Sequence, residues 1–529
     1  MRAHGLTMPG VKFSLPSKGN PKEKTTTMNI SVARNISASE KQASEHFDVL
    51  IVGAGISGIG SAYHLTKQLP GTSFVVLETK ESFGGTWLTH RYPGIRSDSD
   101  LHTFGYSFKP WVGPPIATAA EIMSYMGDVI AENDLGRHIR YQHRIETASW
   151  SSESNLWTIA AVKTDSGEVV TFTANFLWMC QGYYRHSEGF TPEWQDTAKF
   201  KGRIVHPQCW PEDIALEGKK VVVIGSGATA ATLVPAIADQ CAHVTMLQRS
   251  PTYFRLGRNA IELAEELRRL QVKEEWIHEI VRRKILFEQD AFTKRCIGEP
   301  EQVKQELLGQ ISAVLGPDYD IATHFTPSYR PWRQRIAFVP DADLIHGIKS
   351  GKASVVTDEI DRFTETGILL KSGQTLEADI IVTATGFNLC ILGDIGFAID
   401  GKPLDFADTV TYRGMMFTGM PNMAWVFGYF RASWTLRTDL VADFVCRLLA
   451  HMKEKGAKKV VPALRPEDHN MPLLSWIDPE NFNPNYLMRD MHLLPKRGDK
   501  PEWQHSQDYW AEKDQFPAID LDDKAFLYS

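Results

Sequence analysis

Two glycine-rich strings in this 529-residue chain have the spacing of a pyrophosphate cradle: Gly53-Ala54-Gly55-Ile56-Ser57-Gly58 and Gly225-Ser226-Gly227-Ala228-Thr229-Ala230. In such a string the first glycine makes a tight turn and the second lets the main chain approach the phosphates. The third position must be small so that helix and strand can touch, a demand that Ala230 also meets. Free N–H groups and the positive end of a helix dipole then face the phosphates. The residue that closes the next strand separates the two sites. Glu78, 20 residues after Gly58, would accept hydrogen bonds from a ribose 2′-hydroxyl and repel a 2′-phosphate. Gln248-Arg249 holds the corresponding place in the second unit, where a guanidinium suits a 2′-phosphate. The first site should therefore take FAD or NAD, and the second NADP(H). One chain with both is most economically a flavin enzyme reduced by NADPH.

Glycine spacing carries weight only between a strand and a helix. Phe47 to Val52 is a short, apolar, β-branched run, which predicts a buried parallel strand, and a helical pattern follows to about Leu69. Phe74 to Leu77 is the next strand, ending at Glu78. The same grammar recurs from Lys219, with strands at Val221 to Ile224 and Val244 to Leu247 around a helix. Pro235 predicts a kink in that helix, because proline removes a helical hydrogen bond. From about Asn259 to Leu315 the chain is rich in Glu, Lys, Arg and Leu, which predicts a helical insertion with solvated charged faces. The last 80 or so residues, rich in Pro, Asp and Trp, predict irregular structure.

Composition narrows the function further. Hydrophobic residues at 43% and charged residues at 23% are ordinary for a globular protein and exclude a disordered or fibrous chain. A net charge of −7 makes nucleic acid an unexpected partner. Six cysteines lie far apart without a CxxC, so reduced, buried thiols and a cytoplasmic location are expected. No run of 18 apolar residues predicts a spanning helix, which leaves peripheral membrane association open. Neither an HExxH nor a Cys/His cluster at ligand spacing predicts a metal. Residues 1–45 are basic and Ser/Thr-rich without a secretory apolar run, and read as a flexible extension, with a targeting peptide as the lesser reading.

Two longer strings carry a resemblance. Gly84-Gly85-Thr86-Trp87-Leu88-Thr89-His90-Arg91-Tyr92-Pro93-Gly94-Ile95-Arg96-Ser97-Asp98 is similar to the fingerprint [A/G]GxWxxxx[F/Y]P[G/M]xxxD. Phe200 to Pro211 is similar to FxGxxxHxxxW[P/D], with His206 and Trp210 in place. Both belong to type I Baeyer–Villiger monooxygenases. Thr383 to Phe387 resembles the segment with which that family returns to its FAD domain. Phe325 to Arg335 looks most like the ethionamide-monooxygenase branch, and the resemblance spans about residues 47 to 510.

The resemblance implies an α/β fold of two Rossmann-like dinucleotide-binding domains, for FAD and NADP, with a helical insertion in the NADP domain. Expected bounds are 46–180 and 383–529 for FAD, 181–382 for NADP, and about 253–328 for the helices. NADPH would reduce FAD, and O2 would be captured as a C4a-peroxyflavin that attacks a ketone to give an ester or lactone. The sulfur of a thioether or thioamide is a second target. Such an anion needs a permanent cation, and the alignment places it at Arg335. Arg333 is the local rival, and Arg330 reads as a surface residue. Asp98 is expected to hold the arginine's fork. Thr86 and Trp87 are expected to line the flavin, and Ile145 is a candidate for a main-chain contact to adenine. His206 is expected to couple domain position to cofactor state rather than act as a base. Small hydrophobic ketones or sulfur compounds and O2 are the expected partners. The rivals are an N- or S-oxygenating flavin monooxygenase with little ketone activity, an uncoupled NADPH oxidase, and a flavin redox sensor.

Overall fold

The computed structural model describes residues 44–529, so nearly all of the expected N-terminal extension lies outside the described residues. Strand β1 (Glu45–Val52) leads through Gly53 into helix α1 (Ile56–Gln68) and then β2 (Phe74–Leu77). β1 pairs in parallel with β2 on one side and with β3 (Val169–Met179) on the other. The apolar run of β1 is buried on both faces from Val49 onward, as a central parallel strand requires. An antiparallel meander, His143–Ser151 and Leu156–Lys163, joins β3 and extends a nine-stranded sheet. Gly396–Ile399 and Met423–Trp425 also pair into this sheet, so its strands come from two distant parts of the chain.

The chain leaves along β4 (Tyr184–Gly189) and builds a second, five-stranded parallel sheet. β5 (Lys220–Ile224), helix α2 (Ala228–Ile237) and β6 (His243–Gln248) repeat the βαβ unit. β7 (Ile380–Thr383) pairs with β5, and β8 (Phe387–Leu389) then pairs antiparallel with β4. The outgoing and returning segments thus form one ribbon between the sheets. Helix α2 continues through Pro235 as one element and stops two residues later, so the missing donor falls in the last turn instead of marking a kink.

Between β6 and β7 the helices Glu262–Arg269, α3 (Glu274–Gly298), Pro300–Leu315 and Ile321–Phe325 follow one another. A 22-residue helix, α4 (Trp434–Lys455), packs against α1, and the sequence reading had assigned no helix there. All six thiols are free, but Cys209 is exposed, contrary to the expectation that every thiol is buried. It lies at the end of a short turn that the second fingerprint forms at the surface. No helix among the described residues is long and apolar enough to cross a membrane.

Candidate active site

The first cradle is built by contact. A Cβ on Gly58 would lie 1.8 Å from the carbonyl oxygen of Gly53, so α1 touches β1 only because the residue is glycine. Gly55 approaches Gly85, where an added Cβ would meet main chain at 3.6 Å. Ser57, near the start of α1, accepts a hydrogen bond from Trp434 Nε1 at 2.8 Å. The Glu78 carboxylate closes the turn: it accepts from the N–H of Ala54 at 2.8 Å and of Lys80 at 2.9 Å. Burial pushes this carboxyl above its ordinary range, against those N–H groups. Ile145 is buried beside this end of the cavity.

The second cradle is the same device with an open floor. At Gly225 the backbone is left-handed (φ +126°) and a Cβ would meet the Ala384 oxygen at 2.3 Å, whereas at Gly227 it would meet nothing within 4 Å. Ala230 is fully buried against the sheet. Ala228 and Thr229 line the cavity, and the Ser226 hydroxyl lies 2.9 Å from that of Thr252. Arg249 is exposed and, among the described residues, makes no hydrogen bond or ion pair. Gln248 is otherwise engaged. It is buried, and its amide donates to the His324 carbonyl at 2.7 Å and to Thr357 at 2.9 Å, so its side chain turns away from the cradle.

One cavity of about 650 Å³ runs between the cradles, with walls from both sheets and from residues 429–434 and 484–486. Asp98 and Arg335 meet in its wall. Arg335 Nε donates to Asp98 Oδ2 at 2.7 Å and Nη2 to Oδ1 at 2.6 Å, a two-pronged pair across 237 positions of sequence. The Arg335 side chain is 42% exposed and lines the cavity. Burial disfavours its charge, but the Asp98 carboxylate outweighs that and raises the guanidinium above its ordinary value. The neighbouring arginines do not line the cavity and have other partners: Arg333 pairs with Glu480 at 2.9 Å and Arg330 donates to Asn481 at 3.0 Å.

Sequence reasoning missed several residues that share this space. Tyr183 and Tyr486 lie near Arg335, and burial raises both phenols. The Tyr183 ring stacks on Trp434 at 5.4 Å. Thr86, at the start of the short helix Thr86–Thr89, shares a 2.8 Å hydrogen bond with the Tyr184 hydroxyl, and Trp87 also lines the cavity. His90 lies 3.3 Å from that hydroxyl, and His186 is 2.8 Å from Thr89. Burial lowers both imidazoles to about 4. The aromatic residues come from segments far apart in sequence: Tyr183 precedes β4, Trp434 opens α4 and Tyr486 lies on the short helix Asn485–Asp490.

His206 does not line the cavity. Its ring packs flat on Gly189, where a Cβ would sit 1.9 Å from Cε1, and burial lowers its pKa. It therefore sits on the ribbon where the chain crosses between sheets. No cluster of three or more metal-ligating side chains occurs among the described residues. The floorless second cradle, the contact-built first cradle and the elongated cavity between them fit two dinucleotides.

Comparison with known proteins agrees with this geometry. A family model described as an NAD(P)-binding Rossmann-like domain matches residues 51–112. One described as L-lysine 6-monooxygenase/L-ornithine 5-monooxygenase matches residues 120–306. Among solved structures, a steroid monooxygenase bound to NADP superposes with a TM-score of 0.71 at 23% identity, over 91% of this chain and 99% of that one. Cyclohexanone monooxygenase from Rhodococcus sp. Phi1, bound to NADP+, gives 0.70 at 20% identity over 92% and 100%. These likenesses establish a two-dinucleotide α/β fold. The chain is also 43% identical to a protein of Acinetobacter baylyi named as a probable FAD-binding monooxygenase, AlmA, over 90% of this chain and 95% of that one. It is 45% identical to the FAD-containing monooxygenase EthA of Mycobacterium tuberculosis strain H37Rv, over 88% of this chain and 94% of EthA. With 45% identity over 468 residues, the chain belongs to the family of FAD-containing monooxygenases.

Proposed function

We propose that this monooxygenase takes NADPH, O2 and a hydrophobic ketone to an ester or lactone, NADP+ and water, and that it also oxidises the sulfur of thioethers or thioamides. The observation that carries this reading is the Asp98–Arg335 fork in the wall of the shared cavity. FAD would lie on Gly53, Gly55, Ser57 and Gly58, with Glu78 at its ribose, Ile145 at its adenine and Thr86 and Trp87 along the ring end. NADPH would lie on Gly225 to Ala230 with Arg249 at its 2′-phosphate, and we infer no role there for the side chain of Gln248. Residues 46–180 and 383–529 would then form the FAD domain. Residues 181–382 would form the NADP domain, with helices at about 253–328.

Bound FAD would accept hydride from NADPH and activate O2. Arg335 would hold a fixed positive charge toward that chemistry. Asp98 keeps the fork in one orientation, and charge stabilisation of this kind is strongest where water is excluded. Tyr183, Tyr486 and Trp434 supply the apolar, water-excluding walls. His206, seated on the ribbon, would transmit cofactor state to the angle between the sheets. Free thiols suit a reducing, cytoplasmic setting.

The test is turnover with isotopically labelled O2, NADPH and a panel of aliphatic ketones, aryl ketones and thioethers, read by mass spectrometry with H2O2 assayed alongside. One labelled atom in an ester is the expected result. A second reading, nitrogen or sulfur oxygenation with little ketone activity, draws on the match of residues 120–306 to the lysine and ornithine monooxygenase model. Label confined to sulfoxides would favour it. NADPH consumed with H2O2 alone would overturn both.

A further inference from the structure

Just behind three residues of the cavity wall lies a knot of arginines that the mechanism leaves unused. Tyr329, Ala432 and Pro484 line the cavity, and beside them in sequence stand Arg330, Arg431 and the stretch 481–483. Arg330 Nη2 donates to the Asn481 carbonyl and side-chain oxygen, both at 3.0 Å. Arg431 Nη2 donates to the same two atoms at 2.7 and 3.0 Å, and to the Trp332 carbonyl at 3.1 Å. Two guanidiniums therefore share one neutral asparagine, and among the described residues neither has a carboxylate within ion-pair distance.

Donors outnumber acceptors here. Arg431 Nε, Arg333 Nε and Trp332 Nε1 are buried without a partner, against one orphaned acceptor, Asn483 Oδ1. Burial and the nearby Arg330 lower the Arg431 guanidinium to about 10, which still leaves it charged at neutral pH. Cys296 feels both arginines, but burial raises its thiol to about 12, so it supplies no countercharge. Trp332, between the arginines, is held in a left-handed conformation (φ +59°). Strain of that kind, with unpaired buried donors, persists where a site is built for a ligand. Arg431 also lies over the Phe482 ring at 5.5 Å, which supplies no countercharge; in a chain that is acidic overall, at −7, an arginine pair without a carboxylate is a local exception.

We propose that Arg330 and Arg431, with the orphaned N–H groups of Arg333 and Trp332, bind the carboxylate of the substrate at the edge of the cavity. The preferred substrates are then hydrophobic ketones or thioethers that carry a carboxylic acid at the far end of the chain. A carboxylate is acceptor-only and takes several donors in a planar fork, which is what this knot lacks. The inference rests on the oxygenating function proposed above.

The experiment uses the FAD-loaded protein and two probes: an undecanoic acid with a keto group next to its terminal methyl, and the methyl ester of that acid. The ratio of kcat/KM for acid over ester is measured in wild type, Arg330→Gln, Arg431→Gln and the double variant, at low and high salt. Wild type is expected to favour the acid by about tenfold or more, as charge-assisted hydrogen bonds imply. High salt should reduce the ratio, and the double variant should bring it to about one. Calorimetric titration with plain undecanoate, which has no reacting group, should show binding that the double variant loses. Equal use of acid and ester by wild type, or a preference that survives in the double variant, overturns the proposal. If the variants fail to fold, the salt dependence of the wild-type ratio decides. Should neither probe be oxygenated, the proposed function fails, and undecanoate binding still decides the subsite on its own.

Discussion

At the scale of single residues, the proposed function assigns the chemistry to the fork between Asp98 and Arg335. Arg335→Ala leaves both cradles intact but strands the Asp98 carboxylate without its cation. The expected outcome is flavin bleaching by NADPH at near-normal rates and oxygenated product reduced by about 100-fold or more, the scale of losing a transition-state donor. Stopped-flow absorbance and product analysis check the two halves, and normal product formation would remove Arg335 from the mechanism. Among the described residues Arg249 makes no hydrogen bond or ion pair, and only a longer-range attraction to Glu359 competes, so on the proposed function Arg249→Ala should lose about 1.5–3 kcal/mol of charge-assisted contact to a 2′-phosphate. The preference for NADPH over NADH in kcat/KM should then fall roughly ten- to hundredfold, and an unchanged ratio would move the phosphate site elsewhere. What a local string encodes was legible at this scale: the close glycine contacts and Glu78 at the first turn and, by resemblance, the pairing of Asp98 with Arg335. Gln248 was misread, because adjacent side chains of a strand point to opposite faces and its amide is taken by His324 and Thr357. Tyr183 and Tyr486 were invisible, since 303 positions separate two aromatics with no spacing rule between them.

At the scale of elements, apolar β-branched runs announced the central strands of both sheets, because a strand buried on both faces has no polar positions to spare. Helix α4 gave no such signal. It buries Arg437 completely, and that charge is tolerable because Glu512, 75 residues on, lies 2.8 Å away and the carbonyls of Arg413, Gly414 and Phe427 accept its remaining N–H groups. The ribbon β4/β8 was equally hidden, since its pairing register joins Gly189 to Phe387 across the whole second sheet. Its importance is testable at Gly189. An added methyl would collide with the His206 ring at 1.9 Å and displace it from the crossing point. Gly189→Ala should still fold and retain FAD, as neither cradle is touched. Turnover should fall about tenfold or more, with a larger share of NADPH lost to H2O2, because closure around the cofactors is a gating step. Unchanged coupling would show that the His206 seat does not govern the junction.

At the scale of the whole molecule, the two largest sheets of the described residues are joined by the ribbon β4/β8, and the buried titratable groups near it predict a junction sensitive to acid. Arg96 on the first sheet's side pairs with Asp343 at 2.6 Å, and Arg185 on the ribbon pairs with Asp394 at 2.8 Å. His90 beside Tyr184, His186 beside Thr89 and His206 on Gly189 stand at the same ribbon, all lowered by burial, the first two to about 4. An ordinary histidine in the unfolded chain protonates near 6.5, so between 6.5 and about 4 the unfolded state binds more protons than the folded one. Stability is therefore fully present above about pH 6.5 and is lost progressively as the pH falls toward 4. For His90, which is 5% exposed, a shift of that size corresponds to about 3 kcal/mol. Urea unfolding of the FAD-loaded protein should show a midpoint that is flat from pH 8 to about 7 and falls steeply below 6. In a His90→Gln, His186→Gln variant the same curve should start lower at pH 7, for lost packing, but fall less across the acid window. The distinguishing quantity is the slope rather than the height, since a merely structural loss would shift the curve without flattening it. An unaltered slope would assign the acid sensitivity to carboxylates elsewhere and leave the junction histidines as neutral packing.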